Sequence, residues 1–198
     1  MTLVDSHCHL DLAVLQVLSR ADTAGVETMV TICTKLSEFP KILALTEVGP
    51  NIFCSVGVHP HEADEEGIDS ADALIAAAEN DRVVGIGETG LDYYYMHSDR
   101  ERQQVSFRAH IDAARQTGLP LIVHARDADE DTVAILEDEF RKGPYPGVIH
   151  CFTGTRALAD KAIELGFYIS FSGILTFKNA RPLQDIAREL PADRILVE

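Results

Sequence analysis

The chain has 198 residues, 46% hydrophobic and 25% charged, with 17 lysines and arginines against 32 aspartates and glutamates, for a net charge of −15. That composition excludes a disordered chain, and a chain of this length can bury a core without disulfide or metal staples. The acidic balance argues against tight binding to bare nucleic acid through a basic patch, but leaves room for an acidic protein that meets phosphates through bound cations.

Short apolar runs rich in β-branched residues recur at 3–9, 28–33, 52–58, 83–88, 121–124, 148–151, 167–172 and 195–197. Their ends lie 22 to 36 residues apart, the length of a strand, a covering helix and two short loops. The stretches between them carry helix signals. Ser98 and Glu101 have the spacing of a capping box. The helix after them is expected to turn Val105, Ile111 and Ala114 to the core and to stop at Gly118, with Pro120 beyond. Gly25, Gly49, Gly143 and Gly166 close other apolar-periodic stretches, 155–165 repeats apolar positions at helical spacing, and Pro191 ends the last helix. Eight strands alternating with seven helices predict an α/β fold, a (β/α)8 TIM barrel in one domain over 1–198, with an open doubly wound sheet as the alternative. Such barrels typically need about 250 residues. The expectation is therefore a barrel incomplete at its C-terminal side, seven βα units plus strand eight.

Cys8, Cys33, Cys54 and Cys151 lie in strand-like runs and form no Cys-x-x-Cys pair, so free thiols in a reducing compartment, the cytoplasm, are expected. The first residues lack the basic region of a secretory leader. No run reaches the ~20 apolar residues of a membrane span. Nothing calls for an obligate protein partner.

Six of the eight histidines, His7, His9, His59, His61, His124 and His150, fall at the C-terminal ends of the proposed strands. In parallel barrels those ends share the face where sites are built. His7 and His9, two apart on a strand, project to one side and can converge on a metal such as zinc. Asp5 shares that face, either orienting a ligand histidine or filling a polar layer. Gly85-Ile-Gly87-Glu88-Thr89-Gly90 formally matches a dinucleotide fingerprint. That reading fails because a helix should open at once to meet pyrophosphate, whereas Leu91-Asp92-Tyr93-Tyr94-Tyr95 follows. Glu88 is better read as a carboxylate among small neighbours, able to bridge two cations. His124 and His150 each end an otherwise apolar strand, where an unpartnered imidazole is costly. One carboxylate and four imidazoles exceed the needs of one structural zinc, and fit either one crowded centre or two adjacent ones.

Val4-Asp5-Ser6-His7-Cys8-His9-Leu10-Asp11 resembles the N-terminal motif of the TatD-type metal-dependent hydrolases of the amidohydrolase superfamily. Pro120-Leu-Ile-Val-His124-Ala-Arg126-Asp-Ala-Asp-Glu130 is similar to their second motif, and Leu190-Pro191-Ala-Asp-Arg-Ile-Leu-Val-Glu198 to the start of their third. Gly57-Val-His59-Pro60-His61, Gly87-Glu88-Thr-Gly-Leu-Asp92 and His150-Cys-Phe-Thr-Gly154 also match, so the resemblance runs end to end. It implies a barrel, one or two divalent ions (zinc, magnesium or manganese), and hydrolysis of phosphodiester bonds in DNA or a small phosphoester. His7 and His9 match the holders of one metal, His124 and His150 those of the second. Glu88 matches the bridging carboxylate, and the resemblance implies that it is the catalytic residue within this sequence. His59, Arg126 and Asp92 match substrate-pocket positions, Arg126 as a bidentate phosphate clamp. The family's third motif continues past the Glu to an Asp that ligates metal and handles the proton of the attacking water. This sequence stops before it, and Glu198 is expected to face the other way. The alternatives are hydrolysis of another ester, lactone or amide, and metal binding without turnover.

Overall fold

A computed structural model describes residues 2–10 and 14–198. In chain order it contains β1 (Leu3–Cys8), α1 (Val14–Thr23), β2 (Val26–Thr31), α2 (Phe39–Leu45), β3 (Ile52–Val56), α3 (Ala63–Glu66), α4 (Asp72–Ala78) and β4 (Val83–Asp92). It continues through α5 (Arg100–Thr117), β5 (Leu121–Arg126), α6 (Asp129–Phe140), β6 (Gly147–Ile149), α7 (Arg156–Glu164), β7 (Tyr168–Phe171), α8 (Arg181–Glu189) and β8 (Ile195–Val197). The strands pair in parallel with their sequence neighbours and form a nearly closed barrel, with β1 and β8 at the two ends of the ladder. This is the predicted TIM barrel and not an open doubly wound sheet, whose strand order would reverse partway. Side chains of the two end strands reach solvent: Leu3, Val4 and Val197 are exposed. Asp11, the last residue of the N-terminal motif, lies outside the described residues. Among the described residues no helix is long and apolar enough to cross a membrane, and all four cysteines are free.

Apolar strand residues and inward helix faces build one large core. Ile86, Leu121, Val123 and Ile149 meet Phe107, Ile111 and Leu136 from the covering helices. Fully burying a side chain of that size contributes roughly 1.5–3 kcal/mol. Helix α5 shows the local logic. Its N-terminus is capped by Asp99, whose side chain accepts the Glu101 N–H at 2.8 Å. Its C-terminus closes on Gly118 in the left-handed conformation.

Several expectations are corrected. Among the described residues eight helices appear, because two short ones, α3 and α4, cover the single β3–β4 connection. Ser98 does not cap α5; its hydroxyl donates to the His61 carbonyl and accepts the Asp64 N–H, tying two loops together. Val105 is exposed while Ile111 and Ala114 are buried, since the buried stripe is centred one position further round the helix. Strand β4 runs on to Asp92 where Glu88 was expected to end it. Its glycines serve close packing: a Cβ on Gly90 would lie 2.1 Å from the His124 carbonyl oxygen, and one on Gly87 would lie 2.6 Å from the Ile122 carbonyl oxygen. No helix opens directly at Gly90, since the strand runs on to Asp92 and α5 begins only at Arg100, which agrees with rejecting the dinucleotide reading.

Candidate metal centre

The C-terminal strand ends surround a cavity of about 590 Å³ whose lining includes His9, His59, His61, Glu88, His124, Arg126 and His150. Glu88 lies at its centre, only 3% exposed. Its Oε1 is 2.7 Å from His150 Nε2, 3.1 Å from His124 Nδ1 and 3.3 Å from His59 Nε2, while Oε2 is 3.4 Å from His7 Nε2. The carboxylate thus divides the histidines into two sets, one on each oxygen. Among the described residues three groups have ligand atoms mutually within 4.8 Å: His7, His9 and Glu88; His59, Glu88 and His124; His7, His150 and Glu198.

Three placements, those of His59, Glu198 and Asp92, differ from the sequence reading. His59, expected near substrate, lies directly against Glu88 beside His124. Glu198, expected to face away, turns inward: its Oε1 is 3.5 Å from His150 Nδ1, and its Oε2 accepts the Ser170 hydroxyl at 2.8 Å. Val197 takes the outward position and Glu198, one residue on, the inward one.

Asp92 is fully buried, behind the histidines and off the cavity surface. Its Oδ2 lies 2.8 Å from His61 Nε2 and 3.1 Å from His124 Nε2, and its Oδ1 accepts the N–H groups of Tyr94 and Tyr95. With its acceptor sites occupied, Asp92 orients imidazoles and fixes the loop after β4. Asp5 accepts the backbone N–H of His7 at 3.2 Å and so acts on the strand, not on an imidazole. A residue the sequence reading passed over is His110, fully buried in α5. Its Nε2 accepts the Val58 N–H at 2.9 Å, next to His59, and its Nδ1–H donates to the Ser106 carbonyl at 2.7 Å. The signal was available: His110 interrupts the apolar stripe of Phe107, Ile111 and Ala114, where a polar ring needs partners.

The donor set suits divalent cations. Both ring nitrogens of His7 and Nδ1 of His150 are buried without a hydrogen-bond partner, although carboxylate oxygens lie close by. Each such orphan costs about 1–3 kcal/mol, a cost that a metal would remove at the one nitrogen of each ring that coordinates it. Among the described residues the charge partners of Glu88 are imidazoles, with no arginine or lysine. Burial works to raise its pKa, but the charge of His150 and the hydrogen bonds from His124, His150 and His59 hold it well below the ordinary carboxylate range. Burial opposes protonation of His150, yet Glu88 and Glu198 push it up to about 10. At His59 and His9, burial dominates and lowers the pKa. His9 and His59 are therefore neutral imidazole donors beside an anionic Glu88, whereas Glu88 and its neighbours favour the proton on His124 and His150, which a divalent metal would have to displace.

A parallel barrel with histidines and a carboxylate gathered at its strand C-termini defines the class, a metal-dependent hydrolase barrel. The family model described as TatD related DNase matches residues 4–198, and the chain belongs to that family. The metal-dependent hydrolase YcfH of Escherichia coli K12, described as uncharacterized, is 46% identical over the whole of this chain and 77% of its own length. A 3′-5′ ssDNA/RNA exonuclease TatD of Edwardsiella piscicida is 36% identical over 92% of this chain and 71% of its own. The crystal structure of YjjV, a TatD homologue of E. coli K12, superposes with a TM-score of 0.86 at 29% identity, covering 99% of this chain and 78% of that one.

Proposed function

We propose that the protein hydrolyses phosphodiester bonds in DNA. The observation that carries this reading is the two-sided contact of Glu88, with His7 on Oε2 and His59, His124 and His150 on Oε1. In this reading His7, His9 and Glu88 hold one divalent cation, and Glu88, His124 and His150, with His59 beside them, hold a second. Bound there, the cations supply positive charge for a phosphate oxygen and lower the pKa of a water. Glu88 is kept anionic by its imidazole neighbours, so it is available to both cation positions at neutral pH. Glu198 and Asp92 set ring orientation from behind, Glu198 at His150 and Asp92 at His61 and His124. Arg126 lines the same cavity, where its planar fork suits two non-bridging phosphate oxygens. The net charge of −15 is no obstacle, since charge at a metallated mouth is locally positive. The Edwardsiella relative, named for exonuclease action on single-stranded DNA and RNA, supports the same substrate class. The free cysteines suit work in a reducing compartment such as the cytoplasm.

The test is a substrate panel: manganese- or zinc-loaded protein with single-stranded DNA, RNA, bis(4-nitrophenyl) phosphate, a lactone and an amide. Cleavage of the phosphodiesters is expected. Turnover of the lactone or amide alone would overturn the reading in favour of carbonyl chemistry.

A further inference from the structure

Exposed aromatic groups crowd one side of the cavity mouth. Strand β4 runs into Tyr93-Tyr94-Tyr95-Met96-His97, and Tyr94, Tyr95 and Met96 keep 57%, 50% and 44% of their surface in solvent. Contiguous exposed apolar groups at the rim of a site mark a contact surface. The segment is held in place: Asp92 Oδ1 accepts the N–H of Tyr94 at 3.1 Å and of Tyr95 at 2.9 Å. Met96 completes the turn in the left-handed region, with φ of 51°. The Tyr94 and Tyr95 rings stand perpendicular, with centroids 4.8 Å apart.

Arg126 connects this platform to the cavity. Its Cζ lies 4.2 Å from the Tyr94 centroid and 4.6 Å from that of Tyr95, and the side chain lines the cavity. Arg108, Arg115, Arg156 and Arg188 are each paired with a carboxylate. Arg126, by contrast, has no side-chain hydrogen bond or ion pair among the described residues, and its guanidinium lies against the two rings. One ring suffices to hold a guanidinium. Two perpendicular rings, each half in solvent, leave aromatic surface free beside an unspent cation. A free aromatic face next to a free guanidinium complements a nucleobase next to its phosphate: every base has a π-face, and stacking on an aromatic side chain strengthens binding by about fivefold to 150-fold per base.

We propose that Tyr94 and Tyr95 form a stacking subsite for an unpaired nucleobase, with Arg126 receiving the adjoining phosphate. The inference rests on the phosphodiester reading above and adds to it the recognition of a splayed base. A base inside a duplex is stacked on both sides and cannot use the platform, so the substrate is single-stranded or frayed. Recognition is tolerant of base identity, because stacking reads a face and not an edge.

The experiment compares two short oligothymidylates that differ by one abasic spacer, with kcat and KM measured for each on the manganese-loaded full chain. A 2-aminopurine at the spacer position reports stacking through fluorescence quenching on binding. The wild type should favour the base-bearing strand about tenfold through KM and quench the 2-aminopurine. Tyr94→Phe/Tyr95→Phe should retain both effects. Tyr94→Leu/Tyr95→Leu still covers the Arg126 stem but has no π-face, and should lose both. Equal treatment of the two strands by the wild type, or a preference that survives in the leucine variant, overturns the proposal. Wild-type hydrolysis of bis(4-nitrophenyl) phosphate judges the phosphodiester reading separately. Cleavage of that diester without base preference sinks the stacking subsite alone, and no cleavage of any phosphodiester sinks the reading beneath it.

Discussion

His110 makes the fold around the site dependent on pH in a calculable way. Both of its ring nitrogens are committed, Nε2 accepting from Val58 N–H and Nδ1–H donating to Ser106, so the network requires the neutral ring. Protonation would set an N–H against an N–H in a fully buried place. Burial accordingly lowers the pKa from 6.5 to about 4, with the Ser106 carbonyl opposing. A pKa depressed in the folded state means that the unfolded chain binds the proton first, so stability is full above pH 6.5 and falls as pH drops towards 4. A gap of about 2.5 pKa units corresponds to about 3 kcal/mol in full, of which about 2 kcal/mol is lost by pH 5. Urea unfolding at pH 7.5 and pH 5 measures the loss. Other groups titrate as well, so the comparison is with His110→Gln, whose carboxamide oxygen can accept the Val58 N–H. The pH-dependent loss should be smaller in that variant by about 2 kcal/mol. Identical losses in both proteins would refute the reasoning, as would an NMR titration placing the His110 pKa near 6.5.

Glu88→Gln should reduce divalent metal content more than Asp92→Asn, because Glu88 faces both histidine sets and Asp92 only orients His61 and His124. The Asp92 change should weaken metal affinity about 10–100-fold, and equal losses from the two would remove the bridging role. His7→Ala together with His9→Ala should remove one metal equivalent while circular dichroism stays close to that of wild type; unchanged metal by elemental analysis would contradict that assignment. Gly90→Ala should lose at least about 2 kcal/mol in urea unfolding, since φ of 132° strains any side chain there and its Cβ would lie 2.1 Å from the His124 carbonyl oxygen. A midpoint equal to that of wild type would mean that the β4–β5 approach is looser than described.

Much of this was readable from sequence because it follows from period and position. Alternating strands and helices gave the barrel, and the placing of His7, His124 and His150 at strand ends gave the cluster around Glu88. Local signals misled where two residues competed for one role. Asp99 outcompeted Ser98 as the α5 cap because Ser98 was already bonded to His61 and Asp64. The glycines around Glu88 read as the end of a strand, but they are there so that β3, β4 and β5 can approach closely. What could not be read is tertiary: the inward turn of Glu198, the commitment of Asp92 to two imidazoles and two backbone N–H groups, and the seat of Arg126 between two tyrosine rings. Each depends on which strand ends meet across the barrel mouth, and no spacing along the chain encodes that.

The claim that matters most is that the cluster around Glu88 is a divalent-metal centre for phosphodiester hydrolysis. Its direct test is cleavage of an end-labelled single-stranded oligonucleotide by chelator-stripped protein during stepwise addition of manganese or zinc. The account predicts no cleavage by the stripped protein and a rise that levels off at one to two metal equivalents per chain. Full activity in the stripped protein, or metal uptake at that stoichiometry with no phosphodiester cleaved, would contradict it.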